Sequence, residues 1–376
     1  MNAIRLYREL ESDGNDGNDF VQCLICAHKC KIKKGMTGVC KTVANAEGVL
    51  YSINYGIIVA KSVDPIEKKP LFHFLPGTSS YSIASPGCNF RCLGCQNADI
   101  SQTYRDENFE SYLEYFKGLQ KTPPEDIVKN ALKADCKSIS YTYTDPAVFF
   151  DYSLDVMELA HKKGLKNIFV TNGYYTEESI NATKGLLDAA NVDIKFFNDT
   201  SYRRICGGRL EPVLKSIELF HKNGVHLELT TLLIDEYNNN DEEIKKIADF
   251  IVSVDKNLPW HISRFFPLYK MQDGRVTEEK TIINAYNIGK AAGLNYIYAG
   301  NILLDGYEDT RCPSCGELLI KRQGYNILEN NVIKESAAVW ADKTDASGVE
   351  GVGGKAAVSA GEGKCKFCGY KIYGVF

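Results

Sequence analysis

At 376 residues with 44% hydrophobic side chains, the chain is long enough to bury one large α/β core with small appendages, and disorder is not expected. A formal net charge of −4 gives a nucleic-acid partner no electrostatic support. The first twenty residues are charged and rich in Gly, Asn and Asp, with no apolar h-region, and no apolar run approaches the roughly 18 residues of a membrane span; a cytoplasmic protein with no membrane partner is expected.

Thirteen cysteines in a long chain without a secretion signal read as metal ligands in a reducing compartment when their spacings are short and clustered. The first set is Cys23-x2-Cys26-x3-Cys30-x9-Cys40, in an expected N-terminal Cys-rich module over residues 1–80 that also holds short alternating segments such as Val49 to Ile53. Four thiols this close either bind a metal or sit as reduced core residues; metal is the preferred reading, with zinc and an accessory iron–sulfur cluster both open. His28, inside the set, reads equally as a ligand or a surface residue.

Tyr81 to Ser85 reads as a strand and runs directly into Gly87-Cys-Asn-Phe-Arg-Cys-Leu-Gly-Cys, a CxxxCxxC triplet of Cys88, Cys92 and Cys95. Iron–sulfur clusters are normally held by four cysteines. A 4Fe-4S cubane on three thiolates leaves one iron free to bind something else, which points to chemistry. Zinc sites usually pair two CxxC-like knuckles at a distance, so a lone CxxxCxxC fits zinc poorly.

From residue 81 to 300, short apolar strands alternate with amphipathic helices, the pattern of βαβ units on a parallel sheet. After Tyr81 to Ser85, the strands are Ser138 to Tyr143, Asn167 to Thr171, Asn191 to Phe196, His226 to Leu233 and Trp260 to Phe266, with Asn295 to Ala299 a further edge strand. Two of the helices are Tyr152 to Lys163, stopped at Gly164, and Pro212 to Asn223, stopped at Gly224. Six βα units are too few for a closed eight-stranded barrel. Asp193 and Lys195 are two apart on a strand and share a face, where charges are costly unless paired or liganded. His226, Glu228, His261 and Arg264 lie on the last two strands; each could orient a substrate or be a satisfied structural group. Cys136 reads as core. Cys206, in a glycine-rich turn, reads as a residue that could approach the active site.

After Gly300 the chain carries Cys312-Pro-Ser-Cys315 and Cys365-Lys-Phe-Cys368, two knuckles of a C-terminal zinc ribbon over residues 301–376. Zinc is preferred to an auxiliary iron–sulfur cluster because Gly316 and Gly369 follow the knuckles and let backbone amides turn toward sulfur. Residues 341–363 are rich in Gly, Ala and Ser and read as a mobile loop, which closure entropy tolerates.

The triplet and its flanks resemble radical SAM enzymes, in which S-adenosylmethionine (SAM) chelates the fourth iron. Cys23-Leu-Ile-Cys-Ala-His-Lys-Cys30, Leu71-Phe-His-Phe-Leu-Pro-Gly77, Val170-Thr-Asn-Gly-Tyr174, Arg204-Ile-Cys-Gly-Gly-Arg-Leu-Glu-Pro212 and Trp260-His-Ile-Ser-Arg-Phe-Phe-Pro267 narrow this to a resemblance to AmmeMemoRadiSam system radical SAM enzymes, relatives of pyruvate formate-lyase activating enzymes. The resemblance runs from about residue 20 to the C-terminus and implies a partial (β/α)6 barrel over residues 81–300. It also implies SAM contacts from Asn172, from Asp193 and Lys195 to ribose and carboxylate, and from Asp145 to the SAM amino group. Two departures stand out: Gly94 replaces an aromatic residue near the adenine, and Tyr143-Thr-Asp-Pro146 replaces Tyr-Asn-Glu-Pro. Asp145 before Pro146 also reads as a helix N-cap, and both roles can hold together.

The resemblance implies reductive SAM cleavage to a 5′-deoxyadenosyl radical, hydrogen abstraction from a protein, peptide or small molecule, and an electron donor such as flavodoxin or ferredoxin. Activation of a glycyl radical enzyme is the favoured form of that reaction. The alternative is a non-catalytic metal-binding or electron-transfer scaffold with a relict SAM site.

Overall fold

Eight strands form one sheet whose spatial order repeats their order along the chain: β1 (Ala60–Pro65), β2 (Ser79–Ala84), β3 (Ser138–Tyr141), β4 (Lys166–Thr171), β5 (Ala189–Asp193), β6 (His226–Leu233), β7 (Trp260–Arg264) and β8 (Ile297–Gly300). They are seen in a computed structural model that describes residues 2–10, 19–102, 114, 116–334 and 362–376. Strands β2 to β8 pair parallel, and β1 runs antiparallel to β2. Parallel neighbours need long crossovers, here helical. These are α1 (Pro124–Lys133), α2 (Phe150–Lys162), α3 (Glu177–Ala182), α4 (Leu210–Lys222), α5 (Asp241–Asp255) and α6 (Glu279–Ala292). The architecture is the expected α/β one with a parallel sheet, and it stays open, with β1 and β8 at its edges.

The helices start and stop for local reasons. The Asn240 side chain accepts from Glu243 N, three acids fill the first turn of α5, and Ile244, Ile247, Ala248 and Ile251 are buried on one face. α1 opens with proline in its first turn and buries Ile127, Val128 and Ala131. α6 ends at Gly293, whose φ of +101° is the left-handed conformation glycine adopts without strain. β3 is buried throughout and β6 nearly so, because helices or loops cover both faces of the sheet.

Two elements differ from expectation. The β5 ladder spans Ala189–Asp193 rather than Asn191 to Phe196, so Lys195 lies in the loop beyond it, although Ile194 N still donates to Thr230 O at 2.8 Å. β1 has no counterpart in the sequence reading: Ala-Lys-Ser-Val-Asp-Pro is polar and half-exposed, the character of an edge strand with proline at its end. It comes from the stretch assigned by sequence to the N-terminal module.

Before β1, Tyr7–Glu9, Phe20–Cys23 and Lys31–Lys33 form one antiparallel sheet, and Asn2–Ala3, Val43–Ala46 and Val49–Ser52 another. A β-bridge from Cys26 to Tyr175 ties the first to the loop after β4. After β8, two small antiparallel sheets carry the C-terminal cysteines, and they pack on Phe72, Tyr296 and Tyr298. The loop expected over 341–363 lies, except for its last two residues, outside the described residues. No helix among the described residues is long and apolar enough to cross a membrane.

Candidate metal and cofactor site

The triplet sits where β2 runs out at the C-terminal end of the sheet, and the loop that carries it is held on three sides. Gly87 has φ +97°, and a Cβ there would stand 2.6 Å from Thr42 Cγ2, so only glycine lets the N-terminal segment lie against it. Arg91 N donates to Cys206 O at 2.8 Å and Leu93 N to Ile205 O at 3.0 Å. Asn97 Nδ2 donates to Tyr143 O at 2.8 Å. The loop is thus held by residues 205–206 between the cysteines, and by Thr42 and Tyr143 on its flanks, before any ligand binds.

The three thiols are held in a setting that disfavours bare thiolates. Burial pushes the Cys88 thiol well up, and Asp145, Cys92 and Cys95 add to it. A hydrogen bond with Cys206, and then burial, does the same to Cys92. Cys95 is raised by burial, against a 3.3 Å contact with Ser101 Oγ. Three neighbouring thiolates are costly here without a compensating positive charge, which a bound iron centre supplies. The donor set therefore fits an iron–sulfur cluster.

Cys88, Cys92, Cys95, Asp145, Asn172, Asp193 and Lys195, the residues singled out from sequence, all line one cavity of about 500 Å3 at the C-terminal ends of the parallel strands. Ligands of open α/β sheets bind there, in a volume typical of small-molecule sites. Lys195 Nζ donates to Asp193 Oδ2 at 2.8 Å on one wall. Burial works against the Lys195 ammonium, but Asp193, Cys92 and Cys206 hold its pKa well above the ordinary lysine value. Asn172 Nδ2 donates to Asn89 Oδ1 at 2.7 Å, tying the end of β4 to the triplet loop.

Asp145 is buried and accepts from Ala147 N at 2.9 Å, Thr171 Oγ1 at 2.8 Å, Asn172 N at 2.8 Å and Tyr175 OH at 3.3 Å. Burial still raises its pKa against these donors. The N-cap role is visible in the Ala147 bond, and about four lone-pair sites are all taken.

His226, Glu228 and His261 form a buried network rather than a set of free side chains. Glu228 is fully buried and accepts from His261 Nε2 at 2.7 Å, His226 Nε2 at 3.1 Å and the backbone amides of Phe72 and His73 at 2.9 and 2.7 Å. Burial would raise its pKa, but the two imidazoles hold it well below the usual carboxylate range. Only His261 and Arg264 of the four also reach the cavity wall.

Two site residues were missed or underweighted by sequence reasoning. Cys206 ends a π-helical turn, Tyr202–Cys206, and sits against Cys92 in the same cavity; its glycine-rich flank was the available signal. Phe265, just past β7, lies over Gly94, and no local pattern marks it. Cys136 is buried and, as read, packs in the core.

At the C-terminus, Cys312 Sγ lies 3.6 Å from Cys368 Sγ and Cys315 Sγ 3.7 Å from Cys365 Sγ. All four come within 4.8 Å of one another, which no other Cys, His, Asp or Glu group of three or more does among the described residues. Sulfurs on one tetrahedral zinc, at about 2.3 Å from it, stand about 3.8 Å apart. Cys23, Cys26 and Cys30 all have raised pKa values, by burial first and then by the neighbouring thiols of their own set, so the N-terminal four also share one neighbourhood.

A family model described as the Radical SAM superfamily matches residues 82–251. The chain is 40% identical over 348 residues to the uncharacterized protein MJ0808 of Methanocaldococcus jannaschii, covering 92% of this chain and 99% of that one. A second protein of that organism, MJ0674, is 26% identical over 294 residues, covering 75% of this chain and 78% of that protein. Among solved structures, a radical SAM methyltransferase from Sphaerobacter thermophilus aligns at a TM-score of 0.46 and 12% identity, covering 83% of this chain and 81% of that one.

Proposed function

Because the chain belongs to the radical SAM superfamily, we propose that Cys88, Cys92 and Cys95 hold a 4Fe-4S cluster whose fourth iron takes the amino and carboxylate groups of SAM. When bound, the cluster supplies the electron that cleaves the sulfonium of SAM to methionine and a 5′-deoxyadenosyl radical. The observation that carries this reading is the convergence of three half-buried thiols and the Asp193–Lys195 pair on one cavity at the C-terminal end of a parallel sheet.

The protein's own residues divide the remaining work. Lys195, held cationic, faces the SAM carboxylate, and Asp193 the ribose hydroxyls. Asn172 braces the triplet loop through Asn89 and presents the end of β4 to the ligand. Asp145 organises that strand end, and it would meet the SAM amino group if its longest bond, 3.3 Å to Tyr175 OH, gave way. The ring of Phe265 takes the place of the aromatic residue that Gly94 lacks.

Within the superfamily, the motifs favour the AmmeMemoRadiSam system, with hydrogen abstraction from a partner protein's glycine Cα ahead of a peptide or a metabolite. Flavodoxin or ferredoxin is the class of electron donor. We read the C-terminal cysteines as a zinc ribbon, since their 3.6 and 3.7 Å spacings suit one tetrahedral ion. Of the division into residues 1–80, 81–300 and 301–376, the last boundary is kept as a proposal, and the first is moved back before β1, which belongs to the central sheet.

The test is anaerobic reconstitution with iron and sulfide, followed by reductant and SAM. Formation of 5′-deoxyadenosine and methionine, abolished by Cys92→Ala, is expected. Wild-type-level cleavage in that variant refutes the site, and no cleavage by the cluster-loaded wild type favours the relict scaffold.

A further inference from the structure

We propose that Cys23, Cys26, Cys30 and Cys40 hold a second iron–sulfur cluster, placed to pass electrons to the cavity of Cys88, Cys92 and Cys95.

Four cysteines suit either one zinc or an iron–sulfur cluster, and spacing separates the two. A single ion draws all its sulfurs together, as the C-terminal ribbon shows with every Sγ within 4.8 Å of the others. The N-terminal four, all among the described residues, do not close to that spacing, and neither do Cys88, Cys92 and Cys95. A cubane seats each thiolate on its own iron and a two-iron cluster seats them in pairs, so in neither do three sulfurs gather on one ion.

The wider set is nonetheless built, not scattered. Cys23 N donates to Cys30 O at 3.0 Å, closing the loop that joins them. Lys29, in the left-handed region at φ +45°, donates its N–H to Cys26 O at 3.0 Å and turns the chain back toward Cys23. Cys26 is pinned to Tyr175 by a β-bridge. Cys40 receives a hydrogen bond on sulfur from Thr42 Oγ1 at 3.1 Å, the kind of contact that tunes a metal-bound thiolate.

The set also touches the triplet loop on both sides of Cys88. On one side, a Cβ on Gly87 would stand 2.6 Å from Thr42 Cγ2 and 3.2 Å from Cys40 O. On the other, His28 Nε2 bonds to Asn89 O at 2.9 Å, and the His28 ring packs on Tyr174 with centroids 4.8 Å apart. No other element intervenes at these contacts. The transfer needs one electron from a low-potential one-electron donor of the reduced ferredoxin or flavodoxin class, handed on as one electron with no bond made and no proton moved.

The relay role rests on the reading of the triplet as a cluster, whereas the metal assignment stands without it. The full chain carrying Cys88→Ala, Cys92→Ala and Cys95→Ala is reconstituted anaerobically with iron and sulfide, and its iron, sulfide and zinc are measured. About two or four irons with matching sulfide are expected to remain, with a paramagnetic signal on reduction. No iron and a second zinc per chain overturns the proposal. Should that variant fail to fold, the wild type is compared with a full chain carrying Cys23→Ala and Cys26→Ala: iron lower by about two or four in that variant supports the second cluster, and equal iron overturns it. Equal iron in a folded triple variant and the wild type instead sinks the triplet reading and leaves the second cluster standing. For the relay, the fully reduced wild type is expected to show spin–spin broadening that the triple variant lacks, and unbroadened signals overturn it.

Discussion

The ring of Phe265 covers Gly94 so closely that a Cβ added to the glycine would lie 3.0 Å from Phe265 Cε2. An aromatic surface is thus present beside Cys95 although the residue before that cysteine has no side chain. The ring arrives from the end of β7, a different part of the chain.

Phe265→Ala is therefore expected to weaken SAM binding about fivefold, the loss of one aromatic contact of about 1 kcal/mol. Equilibrium binding of SAM to the cluster-loaded protein measures it. Unchanged affinity would put the adenine elsewhere in the cavity.

Cys206 is a neighbour of the cluster site and not a ligand in this reading. Cys206→Ala is expected to keep the iron and sulfide content of the wild type, whereas Cys92→Ala loses the cubane of the triplet. With Cys92 bound as a thiolate, the neighbouring Cys206 S–H is the donor to its sulfur and is expected to raise the cluster's reduction potential, so its removal shifts the midpoint to a more negative value in a redox titration. Iron loss in Cys206→Ala would make it a fourth ligand and close the iron proposed for SAM.

If the ribbon holds zinc, the metal is expected to support the packing around Phe72, Tyr296 and Tyr298. Cys312, Cys365, Leu319 and Ile320 pack with Phe72, Tyr296 and Tyr298, so loosening the ribbon uncovers buried aromatic surface next to β8. A strong chelator is expected to release one zinc and to cost at least about 3 kcal/mol, read as a fall of several degrees in Tm. Release of zinc with Tm unchanged would show the ribbon to be mechanically independent.

Acid sensitivity is expected from the network under the cavity. His73 is buried, with Nδ1–H donating to Tyr373 O at 2.6 Å and Nε2 accepting from Tyr298 OH at 2.6 Å, which holds the ring neutral. Burial pushes its pKa down to about 3 from 6.5. The unfolded chain thus binds the proton first, and this stabilisation, complete above about pH 6.5, is lost as pH falls toward 3. Glu228, also depressed, adds a loss that begins below its unfolded value of about 4.5. Denaturant unfolding between pH 7 and pH 5 should show stability falling by up to about 1.4 kcal/mol per pH unit once below pH 6.5, with a flatter profile in His73→Gln. An identical profile in that variant would locate the proton uptake elsewhere.

Much of the site is legible in the sequence because its chemistry is local in the chain. The spacing of Cys88, Cys92 and Cys95 alone leaves an iron open. The paired knuckles at Cys312 and Cys365 mark four thiols that the fold gathers, whereas Asp193 and Lys195, read as sharing a strand face, meet as an ion pair at the strand end and the loop beyond it. The alternation of apolar runs with 3.6-period helices likewise determines a parallel sheet, since successive parallel strands require a crossover.

Other features depend on contacts between distant parts of the chain, which no spacing rule encodes. β1 joins the sheet because its backbone finds the free edge of β2, though its side chains are too polar to announce a strand. From sequence Glu228 reads as either a substrate contact or a satisfied structural group, and only the packing of Phe72 and His73 against β6, together with His261 from β7, surrounds it with donors. Phe265 over Gly94, Cys206 against Cys92 and His28 on Asn89 are of the same kind. Each is a meeting of side chains or backbone from different elements, and its partner is chosen by how the core packs rather than by its own neighbours in sequence.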